Sequence, residues 1–404
     1  MKATTGFTDA RDLLLGLVNT VETECISLNL CAGRVLGADL IAAENIPPFD
    51  RSPYDGYAFR AEDVKGASRE HPVTLRILEE VAAGAVPTKE VTPGTATKIL
   101  TGAPIPQGAD CVCMFEKTAF TEATVTLFSS FKPGENIVFA GEDVRQGAVL
   151  AHQGDEIDPG IVGTLSSQGE ANPRVYRKLR VGLISTGNEV VEVEALLEPG
   201  KIRNSNRHTL TTALLKEGME PVYLGLAGDR AENIASLIEK GLESCDALVL
   251  TGGVSVGDYD LTPAAMEMAN VEILIRGVDL KPGMACAYGV KDGKPVCGLS
   301  GNPASALTNF YCVALPVLRK MAGYGEYIPQ TITVTLKNGF SKKSKGTRIL
   351  RGKLDLSDGM VKMILPDDQG HVVLSSTIGC NVMAIVPAGS GALPEGTELK
   401  GFMI

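Results

Sequence analysis

Apolar runs of strand length alternate with helical patterns between residues 177 and 327, and this alternation constrains the fold more than any other feature. The apolar runs are Val181–Ser185, Val222–Leu226, Ala247–Thr251 and Val271–Ile275. The helical patterns between them are Thr209–Lys216, Ala231–Leu242 and Pro263–Ala269. Right-handed crossovers follow from this order, so the region predicts an α/β domain around a mostly parallel sheet. Ala285–Val290 and Pro295–Leu299 flank a short turn and add a predicted antiparallel hairpin in or beside the sheet.

The remainder of the chain carries short alternating β-type runs that glycine and proline turns interrupt. Residues 46–144 have the pattern of a β-rich insertion, and residues 328–404 that of a small β-barrel or sandwich. The flanks begin with a predicted capped helix at Thr8-Asp9 and form one discontinuous unit. We therefore predict an α/β and β multi-domain fold with four domains, which are 1–45 with 145–176, 46–144, 177–327 and 328–404.

Charge and cysteine content limit the partners and the compartment. The formal charge of −10 opposes nucleic-acid binding, because such proteins need a basic face for the phosphates. The nine cysteines are odd in number, scattered and without a Cys-x-x-Cys pair, which favours a reducing compartment over a disulfide framework. No uncharged apolar stretch reaches the roughly 20 residues of a membrane span. We expect a cytoplasmic protein with neither nucleic acid nor membrane as a partner.

Small, acidic and amide residues follow five of the predicted strands. In an open parallel sheet the ligand crevice lies beyond the carboxyl ends of the strands, so these loops should meet at one edge. The five loops are Thr186–Glu189, Gly228-Asp229, Thr251–Asp260, Lys281–Gly283 and Ser300–Pro303.

Two of these loops predict an anion site. Glycines let backbone N–H groups approach an anion closely, and the candidates in the third loop are Gly252, Gly253, Ser255 and Gly257. Thr262-Pro263 and Asn302-Pro303 each predict a helix start, which is suited to phosphate. A glycine-rich loop is also simply how a strand turns into a helix. Two such devices beside Lys281 favour phosphate or oxyanion binding.

Carboxylates at the same edge predict a cation. Glu189, Asp229, Asp258 and Asp260 would all project from it, and carboxylates beside a phosphate site make sense when a hard cation such as magnesium bridges them. The alternative is that they are separate, solvated turn or N-cap residues.

Two further regions leave alternatives open. Asp55, Thr101 and Asp143 each lie in a motif that, taken alone, is explained as a plain turn. A strip without acids contains Lys337, Lys342, Lys343, Lys345, Arg348, Arg351 and Lys353. In an acidic protein this strip indicates either a channel for a negatively charged ligand or an edge strand protected by lysines.

Seven motifs in order resemble those of the molybdopterin molybdenumtransferase family, the MoeA and gephyrin E-domain family. They are SPYDGYA (52–58), TGAPIPQGAD (101–110), GEDV (141–144), STGNE (185–189), TGGVSVGDYD (251–260), KPG (281–283) and SGNPASA (300–306). The resemblance covers essentially the whole chain. It implies an elongated homodimer of four-domain subunits, whose cleft is shared between the α/β domain of one subunit and the β insertion of the other.

The resemblance also implies an activity and its residues. Such an enzyme hydrolyses adenylylated molybdopterin (molybdopterin-AMP) with magnesium, Mg²⁺, and inserts molybdate into the dithiolene, so that AMP and water leave. A transient contact with molybdopterin adenylyltransferase is expected. The implied catalytic residues are Asp55, Thr101, Asp143, Glu189, Asp229 and Asp260, of which Glu189, Asp229 and Asp260 are the metal ligands. The implied binding residues are Gly252, Gly253, Ser255, Gly257, Lys281, Pro282, Asn302, Pro303, Ser305 and Arg351.

Several positions depart from the family's usual pattern. Met284 stands where a second lysine is usual, His371 where serine is usual, and Asn188 where aspartate is usual. Ser300 replaces a proline, and Val138-Phe139 replace basic residues. The alternative is therefore a diverged paralog that binds the pterin nucleotide or an oxyanion, molybdate or tungstate, without efficient insertion. A scaffold like gephyrin in animals, or an adenylyltransferase, has less in its favour.

Overall fold

The predicted parallel sheet is present in the computed structural model, which describes residues 5–254, 261–357 and 359–404. Its six strands, in spatial order, are Glu220–Ala227, Arg180–Thr186, Ala247–Thr251, Lys294–Leu299, Ala287–Lys291 and Glu272–Arg276. The first four run parallel, and Ala287–Lys291 pairs antiparallel with both of its neighbours. The predicted hairpin is therefore confirmed as part of the sheet itself.

Burial on both faces explains why the central strands read as continuous apolar runs. Val181, Leu183 and Val249 pack into one hydrophobic core, whereas Leu248 and Leu250 pack into a second core on the opposite face. Successive residues of a strand point to opposite faces, so both sets must be apolar.

Helices cover the sheet and follow its strands. They are Ser205–Lys216, Ala231–Ser244, Leu261–Met268, Pro303–Asn309 and Leu315–Met321, with a π-helical turn at Phe310–Ala314 between the last two. The first of these begins four residues earlier than Thr209, because Asn204 caps it by accepting a hydrogen bond from the Arg207 N–H at 3.3 Å. The predicted N-cap role of Thr262 is wrong, since Thr262 lies inside a helix and its hydroxyl donates to the Gly252 carbonyl.

The C-terminal region closes into the predicted barrel. Its strands, in spatial order, are Thr331–Leu336, Lys362–Ile364, Arg348–Asp355, Val382–Val386 and Glu398–Met403. Alternate residues such as Val334, Leu336 and Leu350 fill the interior. Closure pairs every strand on both sides, so Arg348–Asp355 is not an edge strand, and the lysine-protected-edge interpretation of the basic strip is wrong for that segment.

Residues 39–152 and 160–171 form a compact unit of their own, and the remainder of the chain forms the other unit. The sheet of the unit formed by residues 39–152 and 160–171 has the strand order Cys111–Met114, Gly56–Phe59, Thr95–Ile99, Val73–Val81, Thr124–Leu127 and Thr118–Phe120. Further strand pairs are Leu40–Ile41 with Val149–Ala151, Thr23–Cys25 with Arg174–Tyr176, Val190–Val191 with Ile202–Arg203, and Thr5–Gly6 with Val278–Asp279. The division into four domains stays a prediction.

Two helices lie outside the α/β sheet region, at Phe7–Leu15 and Pro159–Ser167. The first begins at Phe7, with Gly6 as its N-cap and no side-chain capping bond, so the cap predicted at Thr8-Asp9 is wrong. Short 3-10 turns are Leu28–Leu30, Ala61–Val64, Phe115–Lys117 and Leu374–Thr377. Every helix in the described ranges is too short or too polar to cross a bilayer.

Candidate active site

A cavity of about 790 Å³ lies at the carboxyl edge of the parallel sheet, and we call it the first cavity. Loops that follow four strands line it, as the topology of an open parallel sheet predicts. The lining residues include Thr186, Gly187, Glu189, Asp229, Thr251, Gly252, Gly253, Ser300, Gly301, Asn302 and Pro303. The structure thus brings together most of the residues that the sequence predicted for this edge.

Two carboxylates, Glu189 and Asp229, face the first cavity. Asp229 is fixed by a reciprocal pair of hydrogen bonds, because its carboxylate accepts from the Asn188 N–H at 3.1 Å and its own N–H donates to the Asn188 side chain at 3.1 Å. Asn188 therefore joins the loops after two adjacent strands. Among the described residues no three His, Cys, Asp or Glu side chains cluster as a metal site. The third predicted ligand, Asp260, lies outside the described residues, as do Ser255 and Gly257.

Gly252 and Gly253 allow a close approach that other residues would block. Both have positive φ, and a β-carbon on Gly252 would lie 2.4 Å from the Thr186 hydroxyl oxygen. The Gly252 N–H donates to the Leu299 carbonyl at 3.0 Å. Its predicted use as an anion donor is therefore not met, and the glycine instead lets the chain pass against Thr186.

Sequence reasoning missed the floor of the first cavity. Asn204 and Asn206 line it from the start of the helix Ser205–Lys216. Asn206 donates to the Gly301 carbonyl at 2.9 Å, and Asn204 exchanges hydrogen bonds with the Ser185 hydroxyl. Two asparagines before an apolar helical pattern were the available signal, since short amides favour helix starts.

A network beneath this floor holds Asn204 in place. The Tyr223 hydroxyl donates to Glu192 at 2.6 Å and accepts from the Asn204 amide at 3.3 Å. Arg207 stacks 3.8 Å above the Tyr223 ring and donates to Glu192 at 2.7 Å. Burial, with the Glu192 hydrogen bond, raises the pKa of Tyr223 to about 12, so the phenol stays a donor.

A second cavity of about 600 Å³ adjoins the first, since Ala285, Ser300 and Asn302 line both. Its other lining residues include the predicted binding residues Lys281, Pro282 and Ser305, the departures Met284 and His371, and Asp279, Lys342 and Arg348. Among the described residues, three cations therefore face this cavity against one carboxylate. The predicted channel for a negatively charged ligand gains support from Lys342 and Arg348.

The loop that carries Lys281 is anchored from the helix side. Asn309 is fully buried, and its amide donates to the Gly283 carbonyl at 2.6 Å. The Lys281 backbone bonds to the barrel, since its N–H donates to Thr347 and its carbonyl accepts from Ile349, both at 2.9 Å. The side chain of Lys281 itself is exposed to the cavity.

Arg351 lines neither cavity. It is fully buried, and its Nη2 donates to the Gly370 carbonyl at 3.2 Å and to the Ser376 hydroxyl at 2.9 Å. Its Nε and Nη1 have no hydrogen-bond partner within the described ranges. Burial lowers the pKa of the guanidinium. Arg351 lies behind the turn at Gly370, which does line the second cavity.

The compact unit of residues 39–152 and 160–171 contains the three motifs that carry Asp55, Thr101 and Asp143. Asp55 accepts hydrogen bonds from both the N–H and the hydroxyl of Thr101, each at 2.7 Å, which lowers the pKa of Asp55. A backbone bond from Ser52 to Ala103 at 3.0 Å also joins the first two motifs, whereas Gly141 of the third motif bonds to Pro47, outside the first motif, at 2.9 Å. Asp143 is exposed. Two of the three turns are thus directly hydrogen-bonded to each other, and the third lies in the same unit.

Comparison with known proteins agrees with this site. Residues 5–169 match the family described as "MoeA N-terminal region (domain I and II)", and residues 182–320 match "Probable molybdopterin binding domain". A molybdopterin molybdenumtransferase of Staphylococcus epidermidis is 36% identical over 378 residues, which are 93% of this chain and 90% of that protein. The chain belongs to the molybdopterin molybdenumtransferase family.

Other members give the same result. The molybdopterin molybdenumtransferase of Staphylococcus aureus is 35% identical over 92% of this chain and 88% of its own length. The crystal structure of the molybdopterin biosynthesis moeA protein from Pyrococcus horikoshii superposes with a TM-score of 0.86 at 31% identity, over 99% of this chain and 100% of that one. These full-length likenesses to molybdenumtransferases do not favour the alternative of a diverged binding paralog.

Proposed function

We propose that this chain inserts molybdate into adenylylated molybdopterin and releases AMP and water in molybdenum cofactor biosynthesis. The observation that carries the proposal is the junction of two cavities whose described lining residues differ in net charge. Two carboxylates and one cation, Arg203, face the first cavity, whereas three cations and one carboxylate, Asp279, face the second. Ser300 and Asn302 belong to both walls. A nucleotide-linked substrate and an oxyanion can therefore be held side by side.

The first cavity suits magnesium. This ion prefers oxygen ligands and is commonly held by one or two carboxylates together with substrate phosphates. Glu189 and Asp229 are the carboxylates on that wall within the described part of the chain, and we propose Asp260 as a third ligand. When bound, magnesium would neutralise the diphosphate and polarise the phosphorus that water attacks. The Asn188 pair keeps the Asp229 carboxylate oriented toward the cavity side of the sheet.

The second cavity suits the oxyanion. We propose that Lys281 and Ser305 contact molybdate, because an ammonium and a hydroxyl can both donate to its oxygens. Arg351 supports the wall through Gly370, and its two donors without a partner in the described ranges keep it a candidate for the same anion. Gly252, Gly253, Asn302 and Pro303 line the first cavity, and Asn302 lines the second as well.

We further propose a cytoplasmic homodimer in which Asp55, Thr101 and Asp143 of each subunit serve the active site. The hydrogen bonds from Thr101 to Asp55 support a shared task for these two residues, and the exposure of Asp143 leaves its carboxylate accessible. A transient contact with the adenylyltransferase that supplies the substrate belongs to the same proposal. Light scattering on the full-length protein should give twice the subunit mass of 42.5 kDa, and a monomer at working concentration would contradict it.

The activity is tested by incubating the protein with adenylylated molybdopterin, magnesium and molybdate. We expect AMP to accumulate together with active cofactor, measured by chromatography and by reconstitution of a molybdenum enzyme. Substrate binding without AMP above background would reject insertion and favour the binding paralog. Replacing molybdate by tungstate in the same assay tests the choice of metal.

A further inference from the structure

Two cations in the second cavity come from distant parts of the chain and are held side by side. Lys281 and Arg348 are partners in an isolated parallel β-bridge. The backbone bonds from Lys281 to Thr347 and from Ile349 to Lys281, both 2.9 Å, fix this register. Both residues line the cavity, together with Lys342 from the loop before the barrel strand. The fold thus places like charges next to each other.

Arg348 is buried, and no acidic side chain of the described residues pairs with it. Its side chain belongs to a residue only 7% exposed, its Nε donates to the Ser344 hydroxyl at 2.9 Å, and its guanidinium lies 5.2 Å from the Phe340 ring centroid. No ion pair in the described ranges joins Arg348, Lys281 or Lys342 to a carboxylate. Burying a charge in this way is costly unless an opposite charge is supplied, here from outside the protein.

The one carboxylate that the described residues place on this wall does not balance the charge of the three cations. Asp279 accepts hydrogen bonds from the Thr347 N–H and hydroxyl, both at 3.3 Å, and it shares the wall with three cations. A small anion with two negative charges would complete the balance. Met284, 64% exposed on the same wall, carries no charge and therefore marks a position where a cation can be added.

We propose that Arg348 is a binding and specificity-determining residue for the oxyanion, and that it acts as the second positive charge beside Lys281, with Lys342 at the rim. The inference rests on the proposed function, because it specifies how the molybdate site of that activity is built. A pair of fixed cations selects a tetrahedral dianion over a tetrahedral monoanion, since the electrostatic energy scales with the ligand charge.

The test is molybdate binding to the full-length protein by equilibrium dialysis, with perrhenate as the monoanion of similar shape. Arg348→Met should weaken molybdate binding about tenfold or more, because it removes charge-assisted hydrogen bonds. Perrhenate binding should weaken less, so discrimination between the anions falls. Lys343→Met removes an equal charge from an exposed residue of the same loop that does not line the cavity, and it should leave both affinities within about twofold.

Adding a charge back gives the rescue. Met284→Lys in the Arg348→Met background should regain a large part of the lost molybdate affinity and of the discrimination, which a purely structural role of Arg348 would not allow. Equal losses in Arg348→Met and Lys343→Met, or unchanged discrimination, would overturn the proposal. If Arg348→Met does not fold, Lys342→Met provides the test. About threefold weaker molybdate binding by this variant would support the proposal, and unchanged binding would contradict it.

Failure of this inference is distinguishable from failure of the proposed function. If the wild-type protein releases AMP and Arg348→Met binds molybdate normally, Arg348 is not a binding residue and the proposed activity is unaffected. A wild-type protein that neither binds molybdate nor releases AMP removes both.

Discussion

The first cavity takes its two described carboxylates from loops that follow strands of one sheet, whereas the second joins the Lys281 loop to the barrel. In the first, Glu189 and Asp229 are carried on consecutive crossovers, and Asn188 joins the two loops directly. In the second, Lys281 meets Arg348 across a single β-bridge, although 67 positions separate them in the numbering. One wall is a product of sheet topology and the other of packing between distant segments.

This difference shows which structural positions suit cation-binding carboxylates and which suit anion-binding cations. Carboxylates that bind a cation can lie on exposed loop ends, because both the solvent and the bound ion stabilise their negative charge. Cations that bind a small anion gain strength from burial, and burial requires a second layer of structure. The barrel supplies that layer for Arg348 and Arg351. The two halves of the cleft should therefore respond differently to substitution.

The largest effect is expected in the first cavity. Asp229→Ala should lower AMP release roughly a hundredfold, because it removes a ligand of the cation that stabilises the developing charge. Molybdate binding, measured by dialysis, should not weaken. Glu194→Ala is the matched control, since Glu194 is an exposed acid of a neighbouring loop that does not line the cavity. AMP release that stays at the wild-type rate would exclude Asp229 from the mechanism.

The second cavity should give the converse result. Lys281→Met should weaken molybdate binding about tenfold or more, because a charge-assisted hydrogen bond is lost, while binding of AMP stays within about twofold. Lys345→Met removes a charge from an exposed residue off the cavity wall and should change neither. Equal losses of affinity for molybdate and for AMP in Lys281→Met would show that the two cavities do not act as separate subsites.

A smaller effect is expected from the anchor of the Lys281 loop. Asn309→Ala leaves the buried Gly283 carbonyl without its donor, so unfolding free energy should fall by about 1–3 kcal/mol and molybdate binding about threefold. Thr308→Val is the control, because it removes a buried hydrogen bond to Ala304 on the same helix. It should lower stability in urea titrations without changing molybdate affinity. A parallel loss of affinity in both variants would contradict a positioning role.

The smallest effect is expected below the floor of the first cavity. Burial raises the pKa of Glu192, but hydrogen bonds from Tyr223 and Arg207 outweigh burial and hold this pKa below its ordinary value of 4.5. A carboxyl whose pKa is lowered by folding stabilises the folded state at pH values above its pKa in the unfolded chain. That contribution is lost as the pH falls through its pKa in the folded protein. Tyr223→Phe should cost about 1 kcal/mol near neutral pH.

The pH dependence provides the measurement. The difference in urea stability between wild type and Tyr223→Phe should shrink well below pH 4.5, where Glu192 becomes protonated. Tyr327→Phe changes a partly buried tyrosine elsewhere in the same unit. Its difference in urea stability from the wild type should not depend on pH. A Tyr223→Phe difference that grows on acidification would show that Glu192 is not the group involved.

Much of the first cavity could be predicted because periodicity places it. Strand-length runs fix the sheet, and the sheet fixes which loops meet, so Glu189, Asp229 and Asn302 were found on one wall. Asn204 and Asn206 were missed because they lie at a helix start rather than after a strand. The use of the Gly252 N–H within the sheet was also missed, because pairing with Leu299 depends on strand order.

The sequence by itself determined the parallel sheet with its hairpin, the β-rich C-terminal region and the loops that carry the carboxylates, because these depend on local periodicity and on the handedness of crossovers. Only the tertiary structure decided which basic residues of the strip from Lys337 to Lys353 face the second cavity. It brought Arg348 beside Lys281 and buried Arg351 behind Gly370. The burial of a charge is set by contacts between distant segments, and such contacts leave no periodic signal in the sequence.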